Sequence, residues 1–246
     1  MAEIVPWTLF EDDPANPVSR SPERFLSPEE DEKFQQFKFP KRRREWLLGR
    51  VAAKHLLINS QPGSTDLLPR AISIRNEPDG APYFVNSDGQ RLPGCLSISH
   101  NHHLAVCALT FAESVQVGVD LECIEPRFPG IADDFFTPAE IESLHACPLE
   151  HHDLLITLIW SAKESMLKVL RKGLRLDTRR VEVILHSLEI NNNFEHSSEN
   201  WLPLNTCCNV PGTRTWSVAW RRMGEFILTS ASYSEGAETN FQWIRV

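Results

Sequence analysis

The chain has 246 residues, 41% of them apolar and 24% charged, with a formal net charge of −8 and a pI of about 5.6. Those proportions fit a globular protein with a real core, in one large domain or two small ones. They exclude nucleic acid as the main partner, because a phosphate backbone needs a broad basic surface, yet they leave room for a local basic pocket that takes one small phosphorylated ligand. The six cysteines (Cys95, Cys107, Cys123, Cys147, Cys207 and Cys208) form no CxxC pair, no basic-then-apolar leader opens the chain, and no unbroken apolar run reaches the membrane-spanning length of about 18 residues. The expectation is a cytoplasmic protein with free thiols and no membrane span.

In chain order, a short strand is predicted from Ile4 to Leu9. Ser27-Pro28-Glu29-Glu30 then reads as a helix start, with Ser27 as N-cap, Pro28 at the first helical position and Glu30 closing a capping box. Apolar spacing predicts a second helix over 41–58, whose first turn is Lys41-Arg42-Arg43-Arg44. Two short strands are expected between Ala71 and Val85, around the turn Pro78-Asp79-Gly80. Leu96 to His100 and Leu104 to Phe111 read as a hairpin closed by Asn101-His102-His103. Val115 to Glu122 alternates most cleanly: Val115, Val117, Val119 and Leu121 on one face, Gln116, Gly118, Asp120 and Glu122 on the other. Thr137-Pro138-Ala139-Glu140 is a second capping box, opening a helix to about Ala146. A long apolar helix is predicted from Glu150 to Lys172, stopped by Gly173. A polar loop over 191–200 and strands at Trp216 to Trp220, Phe226 to Tyr233 and Phe241 to Val246 follow. Helices and strands do not alternate regularly, which predicts an α+β fold.

Several groups can carry chemistry. Asp120 and Glu122, at i and i+2 of a strand, project from one face about 6.5–7 Å apart at the backbone, a spacing that suits a hard cation such as Mg²⁺. A solvated strand face has the same pattern, although Gly118 beside them leaves space for something to approach. Trp160, Glu164 and Lys168, spaced by four, stack on one helix face, either as an ordinary ion pair beneath a core tryptophan or as a charged stripe that needs a partner or a metal. Ser97-Ile98-Ser99-His100 ends a strand at a turn and can donate to a phosphate oxygen. The histidines at 100, 102 and 103 sit at a hairpin tip with no cysteine or carboxylate at zinc-ligand spacing, which argues against zinc. Lys41 to Arg44 with Arg50 is the densest basic segment, either a solvated face or a phosphomonoester site.

The order and spacing of these blocks resemble the surfactin-synthetase-activating type of 4′-phosphopantetheinyl transferase. The blocks are Arg42 to Arg50, Leu96 to His100, Val117-Gly118-Val119-Asp120-Leu121-Glu122, Phe135 to Glu140 and Trp160 to Lys168. The resemblance implies a pseudo-dimer of two similar α+β subdomains, here 1–113 and 114–246, acting as a monomer. It implies Mg²⁺-dependent transfer (Mn²⁺ being the alternative ion) of phosphopantetheine from coenzyme A to a serine of an apo acyl or peptidyl carrier protein, with release of 3′,5′-ADP, as in enzymes of the holo-acyl-carrier-protein synthase type. Coenzyme A would lie between the subdomains.

By the same resemblance Asp120, Glu122 and Glu164 are the metal ligands, and Glu164 also serves as base for the carrier serine. Lys163 and Lys168 face the phosphates, Ser99 and His100 the pyrophosphate, and Arg42 and Arg50 the 3′-phosphate. Where such proteins carry Gly-Lys-Pro, this chain has Gly80-Ala81-Pro82; Arg75 is the candidate to replace the missing lysine. The carrier is expected to dock near Pro126 to Phe136. The rival readings are a catalytically silent module of the same fold that binds coenzyme A or a carrier, and another Mg²⁺-dependent phosphotransferase, the latter weakened by the lack of a Gly-rich phosphate loop.

Overall fold

The computed structural model describes residues 3–60, 68–185, 201–210, 215–234 and 241–245; the loop expected over 191–200 lies outside them. In chain order the elements are β1 (Glu3–Glu11), α1 (Pro28–Gln35), α2 (Pro40–Ser60), β2 (Ile72–Asn76), β3 (Pro82–Asn86), β4 (Cys95–Asn101), β5 (Leu104–Thr110), β6 (Val115–Cys123), α3 (Ile131–Phe135), α4 (Pro138–His145), α5 (His152–Val169), β7 (Val181–Ile184), β8 (Leu202–Pro203), β9 (Asn205–Cys208), β10 (Thr215–Met223), β11 (Phe226–Ser234) and β12 (Phe241–Arg245). The mixed helix and strand content agrees with the predicted class. Contacts divide the chain into Met1–Val117 with Asn240–Val246, and Gly118–Thr239. This division falls within β6, and the last strand lies with the first unit, where β12 pairs in parallel with β1.

The first unit is built on a four-stranded sheet of order β12-β1-β5-β4, with β2-β3 as a separate ladder. Helix α2 lies against this sheet. Leu48, Ala52 and Leu56 pack with Ile72, Phe84, Leu96, Ala105 and Leu109 in one core. Where α2 meets β4, a Cβ on Gly49 would stand 3.0 Å from Ile98 Cγ2 and 3.4 Å from His100 Cδ2.

His55 of α2 lies edge-on to Phe10 and Phe25, with ring centroids 5.9 and 6.0 Å away. Burial holds its pKa below the ordinary 6.5. The unfolded chain therefore binds this proton more readily, and the stability tied to neutral His55 is lost as pH falls below about 6.5. The expected result is a melting temperature that drops between pH 7 and pH 5.5, with a shallower drop in His55→Phe.

The second unit has the sheet β6-β11-β10-β8 and the ladder β7-β9. Helix α5 supplies Leu155, Leu158, Ile159, Ala162 and Met166 to a core shared with Val181, Val218, Ile227 and Ala231. Its end differs from expectation. Arg171 takes the left-handed position that ends the helix (φ +55°), two residues before Gly173, itself left-handed (φ +51°), and the Lys172 N–H reaches back to Leu167 O at 3.2 Å, a Schellman stop. Gly173 opens a separate 3₁₀ turn to Arg175.

The element orders of the two units correspond. Apart from α3 and β8 in the second unit and β12 in the first, each runs strand, capping-box helix, long helix, two-stranded ladder, hairpin: β1-α1-α2-β2/β3-β4-β5, and β6-α4-α5-β7/β9-β10-β11. Both capping boxes form as predicted, Ser27 with Glu30 and Thr137 with Glu140.

Candidate active site

Helix α5 is buried on nearly all sides. From Ile156 onward the residues not fully buried are Ile156, Trp160, Glu164 and Lys168, a single stripe at four-residue spacing. Gly118 brings that helix against β6. A Cβ there would lie 2.1 Å from the backbone oxygen of Ser165 and 2.9 Å from Val169 Cγ2. This approach seats Glu164 and Lys168, which flank Ser165, beside the polar face of β6. Lys168 Nζ donates to Asp120 Oδ1 and to the Val119 carbonyl, each at 2.8 Å. The lysine thus reaches across to the strand, and Asp120 is buried at 4% exposure.

The three carboxylates sense one another. Burial, then the charge of Asp120, pushes the Glu164 pKa up; Lys168 opposes this and Glu122 adds to it. Glu122 is raised by burial and then by Asp120, against the pull of Arg127 and Lys168. Arg127 Nη2 donates to Glu122 Oε2 at 3.0 Å and to the Cys123 carbonyl at 3.1 Å. Among the described residues no group of three or more His, Cys, Asp or Glu side chains is gathered at metal-binding spacing. Asp120 is turned to Lys168 and Glu122 to Arg127, so their convergence is electrostatic rather than a preformed ligand set. The donors fit a hard divalent cation in type, all being carboxylate oxygens, and such an ion relieves the repulsion that raises Glu122 and Glu164.

Lys163 is a correction. It was expected at the phosphates but is fully buried, with its three N–H groups directed to Glu140 Oε2 (2.9 Å), Thr178 O (3.1 Å) and Val181 O (2.5 Å). One residue along a helix turns the side chain by about 100°, which takes Lys163 off the stripe of Glu164 and into the core. Burial pulls Lys163 down and pushes Glu140 up, and each partner's charge opposes the other's shift.

In the first unit, the basic turn of α2 is largely committed. Arg43 stacks on Phe34 at 4.1 Å, and Arg44 pairs with Asp12 at 2.9 Å. Arg42 is exposed. Arg50 is buried over Trp46 at 4.4 Å; burial lowers its pKa to about 10, so it stays charged at neutral pH. Its Nε has no hydrogen-bond partner among the described residues, a costly arrangement that an anion would relieve.

Ser99 and His100 are successive on β4, and alternation puts their side chains on opposite faces. His100 and Ile98 face α2 at Gly49. Arg75 grips exposed Glu29 with two bonds of 3.0 and 2.6 Å, and must release it to replace the lysine absent at Ala81. Arg127 was missed at the sequence level. Its only signal is a basic residue five positions past Glu122, after a proline.

Residues 116–207 match the family model described as the 4′-phosphopantetheinyl transferase superfamily. The 4′-phosphopantetheinyl transferase HetI of Nostoc sp. (strain PCC 7120) is 30% identical over 152 residues, 61% of each chain. The 4′-phosphopantetheinyl transferase Sfp of Bacillus subtilis (strain 168) is 29% identical over 164 residues, 66% of this chain and 67% of Sfp. The chain spans about three fifths of the length of the first curated relatives it matches. Among solved structures, a holo-(acyl-carrier-protein) synthase from Bacillus anthracis in complex with CoA (3′,5′-ADP) aligns at TM-score 0.35 and 23% identity, over 43% of this chain and 91% of that one. The segment that carries Asp120, Glu122, Glu164 and Lys168 is thus the part of the chain similar to the 4′-phosphopantetheinyl transferase superfamily.

Proposed function

We propose that this protein transfers the phosphopantetheine arm of coenzyme A to a serine of an apo acyl or peptidyl carrier protein and releases 3′,5′-ADP. The observation that carries this reading is the seating of Lys168 on Asp120, with Glu164 one turn back on the same stripe, inside the segment that matches the superfamily. The serine hydroxyl forms a bond to the pantetheine-side phosphorus, the bond from that phosphorus to the bridging oxygen breaks, and 3′,5′-ADP leaves with the electron pair. Glu164 takes the serine proton, directly or through a water. Lys168 neutralises charge that grows on the phosphoryl oxygens. Asp120, Glu122 and Glu164 would hold Mg²⁺ or Mn²⁺, which supplies Lewis-acid charge neutralisation when bound. Arg42 and Arg50 bind the 3′-phosphate, while His100 on the α2 face, Ser99 and Arg75 are the remaining contacts for coenzyme A.

The matching element orders and duplicated capping boxes support a pseudo-dimer of two similar α+β subdomains that works as a monomer. The six free cysteines fit a reducing cytoplasm, and no helix among the described residues is long and apolar enough to cross a membrane.

The test is intact mass. With Mg²⁺, coenzyme A and a panel of apo carriers, at least one carrier gains the mass of a phosphopantetheine. Binding of coenzyme A with no mass gain on any carrier would instead identify a silent binding module.

A further inference from the structure

Each unit contains the same buried tripod. In the second, Glu140 accepts the N–H of its own N-cap Thr137 (2.7 Å) and the N–H of Val183, third residue of β7 (2.7 Å), and pairs with Lys163 of the long helix. In the first, Glu30 accepts the N–H of Ser27 (3.1 Å) and the N–H of Ile74, third residue of β2 (2.9 Å), and pairs with Lys54 of the long helix. Both lysines are fully buried and use further N–H groups on backbone carbonyls: Lys54 on Phe25 O (2.7 Å), Lys163 on Thr178 O and Val181 O. Both glutamates are themselves 3% exposed or less.

A buried ion pair is seldom the most stable filling for a core; hydrophobic side chains of like volume often do as well. What it supplies is direction, since the bonds to fixed backbone groups, three in the first unit and four in the second, admit one axial position and one rotation of the helix. The helices so fixed are the two that carry the proposed working residues. Lys163 directly precedes Glu164 and lies five residues before Lys168 on α5, and Lys54 follows Arg50 by one turn on α2.

We propose that Glu140–Lys163 and Glu30–Lys54 are positioning pairs with separate duties. The first sets Glu164 and Lys168 against β6 and so governs turnover and metal use. The second sets the arginine-bearing helix and so governs affinity for coenzyme A. This rests on the transferase reading above. It also explains why Lys163, next to a working residue, does not itself face the phosphates.

The test compares two charge-neutral double variants, Glu140→Gln with Lys163→Met, and Glu30→Gln with Lys54→Met. Neither leaves an unpaired buried charge. Rates are taken per folded molecule, from thermal melts. The Glu140/Lys163 variant should lose tenfold or more in kcat and need several times more Mg²⁺ for half-maximal rate, with KM for coenzyme A within twofold. The Glu30/Lys54 variant should raise that KM tenfold or more with kcat within threefold. Should a double variant not fold, Glu140→Asp and Glu30→Asp, which keep the charge but withdraw it by one methylene, should show the same split in milder form. A purely structural role would give both variants the same loss of folded protein with unchanged KM and Mg²⁺ requirement per folded molecule, and that result overturns the proposal. Failure of the transferase reading is separately visible as absence of transfer by the wild-type protein. In that event the proposal is read from Mn²⁺ binding by electron paramagnetic resonance, which the Glu140/Lys163 variant alone should weaken; equal binding overturns it.

Discussion

Glu164→Gln should leave a folded protein whose kcat is lower by about 10²–10⁴-fold, the range associated with loss of a general base. The change is isosteric. Glu164 sits on the half-exposed stripe of α5, not in the core, so no cavity is opened and no packing is lost. What disappears is the group proposed to accept the serine proton, together with one proposed anionic ligand for the metal. Steady-state kinetics with an apo carrier, beside a thermal melt, separate the chemical defect from a folding defect. Undiminished turnover would remove Glu164 from the reaction.

The second large effect is predicted at a residue with no side chain. Gly118→Ala should destabilise the protein by about 1–3 kcal/mol or more, as overpacking does, and should depress activity beyond what the melt explains. The added Cβ would meet the Ser165 backbone oxygen at 2.1 Å, and Val169 Cγ2 at 2.9 Å. A backbone oxygen within a helix cannot rotate aside, so α5 itself must move, taking Glu164 and Lys168 with it. Gly49→Ala is the comparison: its neighbours at 3.0 and 3.4 Å are side-chain atoms of Ile98 and His100, which can give. Differential scanning calorimetry and kcat on both variants check this, and equal effects would show that the Gly118 contact does not set the site.

The features legible in the sequence were those with a local physical cause. Both capping boxes rest on residues three apart, and both formed. The alternation in β6 predicted which face carries Asp120 and Glu122, and the four-residue spacing predicted the stripe of Trp160, Glu164 and Lys168. Misses arose where non-local contacts decide. Lys163 looks like a surface lysine until Glu140, Thr178 and Val181 are folded around it. The stop of α5 was assigned to Gly173 on propensity, yet the chain turns at Arg171, a position where glycine is merely the cheaper residue. The ladder of β7 with β9 and the return of β12 to β1 depend on pairings distant in sequence, invisible to periodicity.

In the proposed mechanism Asp120, Glu122 and Glu164 serve one divalent ion. Mn²⁺ titration in the presence of coenzyme A, followed by electron paramagnetic resonance of the free ion, measures it without relying on turnover. The wild-type protein should take up a single Mn²⁺, and Asp120→Asn, Glu122→Gln and Glu164→Gln should each weaken it by about tenfold or more, at least the effect of losing an outer-shell partner, while Glu113→Gln, at an exposed carboxylate just before β6, binds as the wild type does. Equal affinity in all four variants, or no uptake by the wild-type protein, would contradict the shared site.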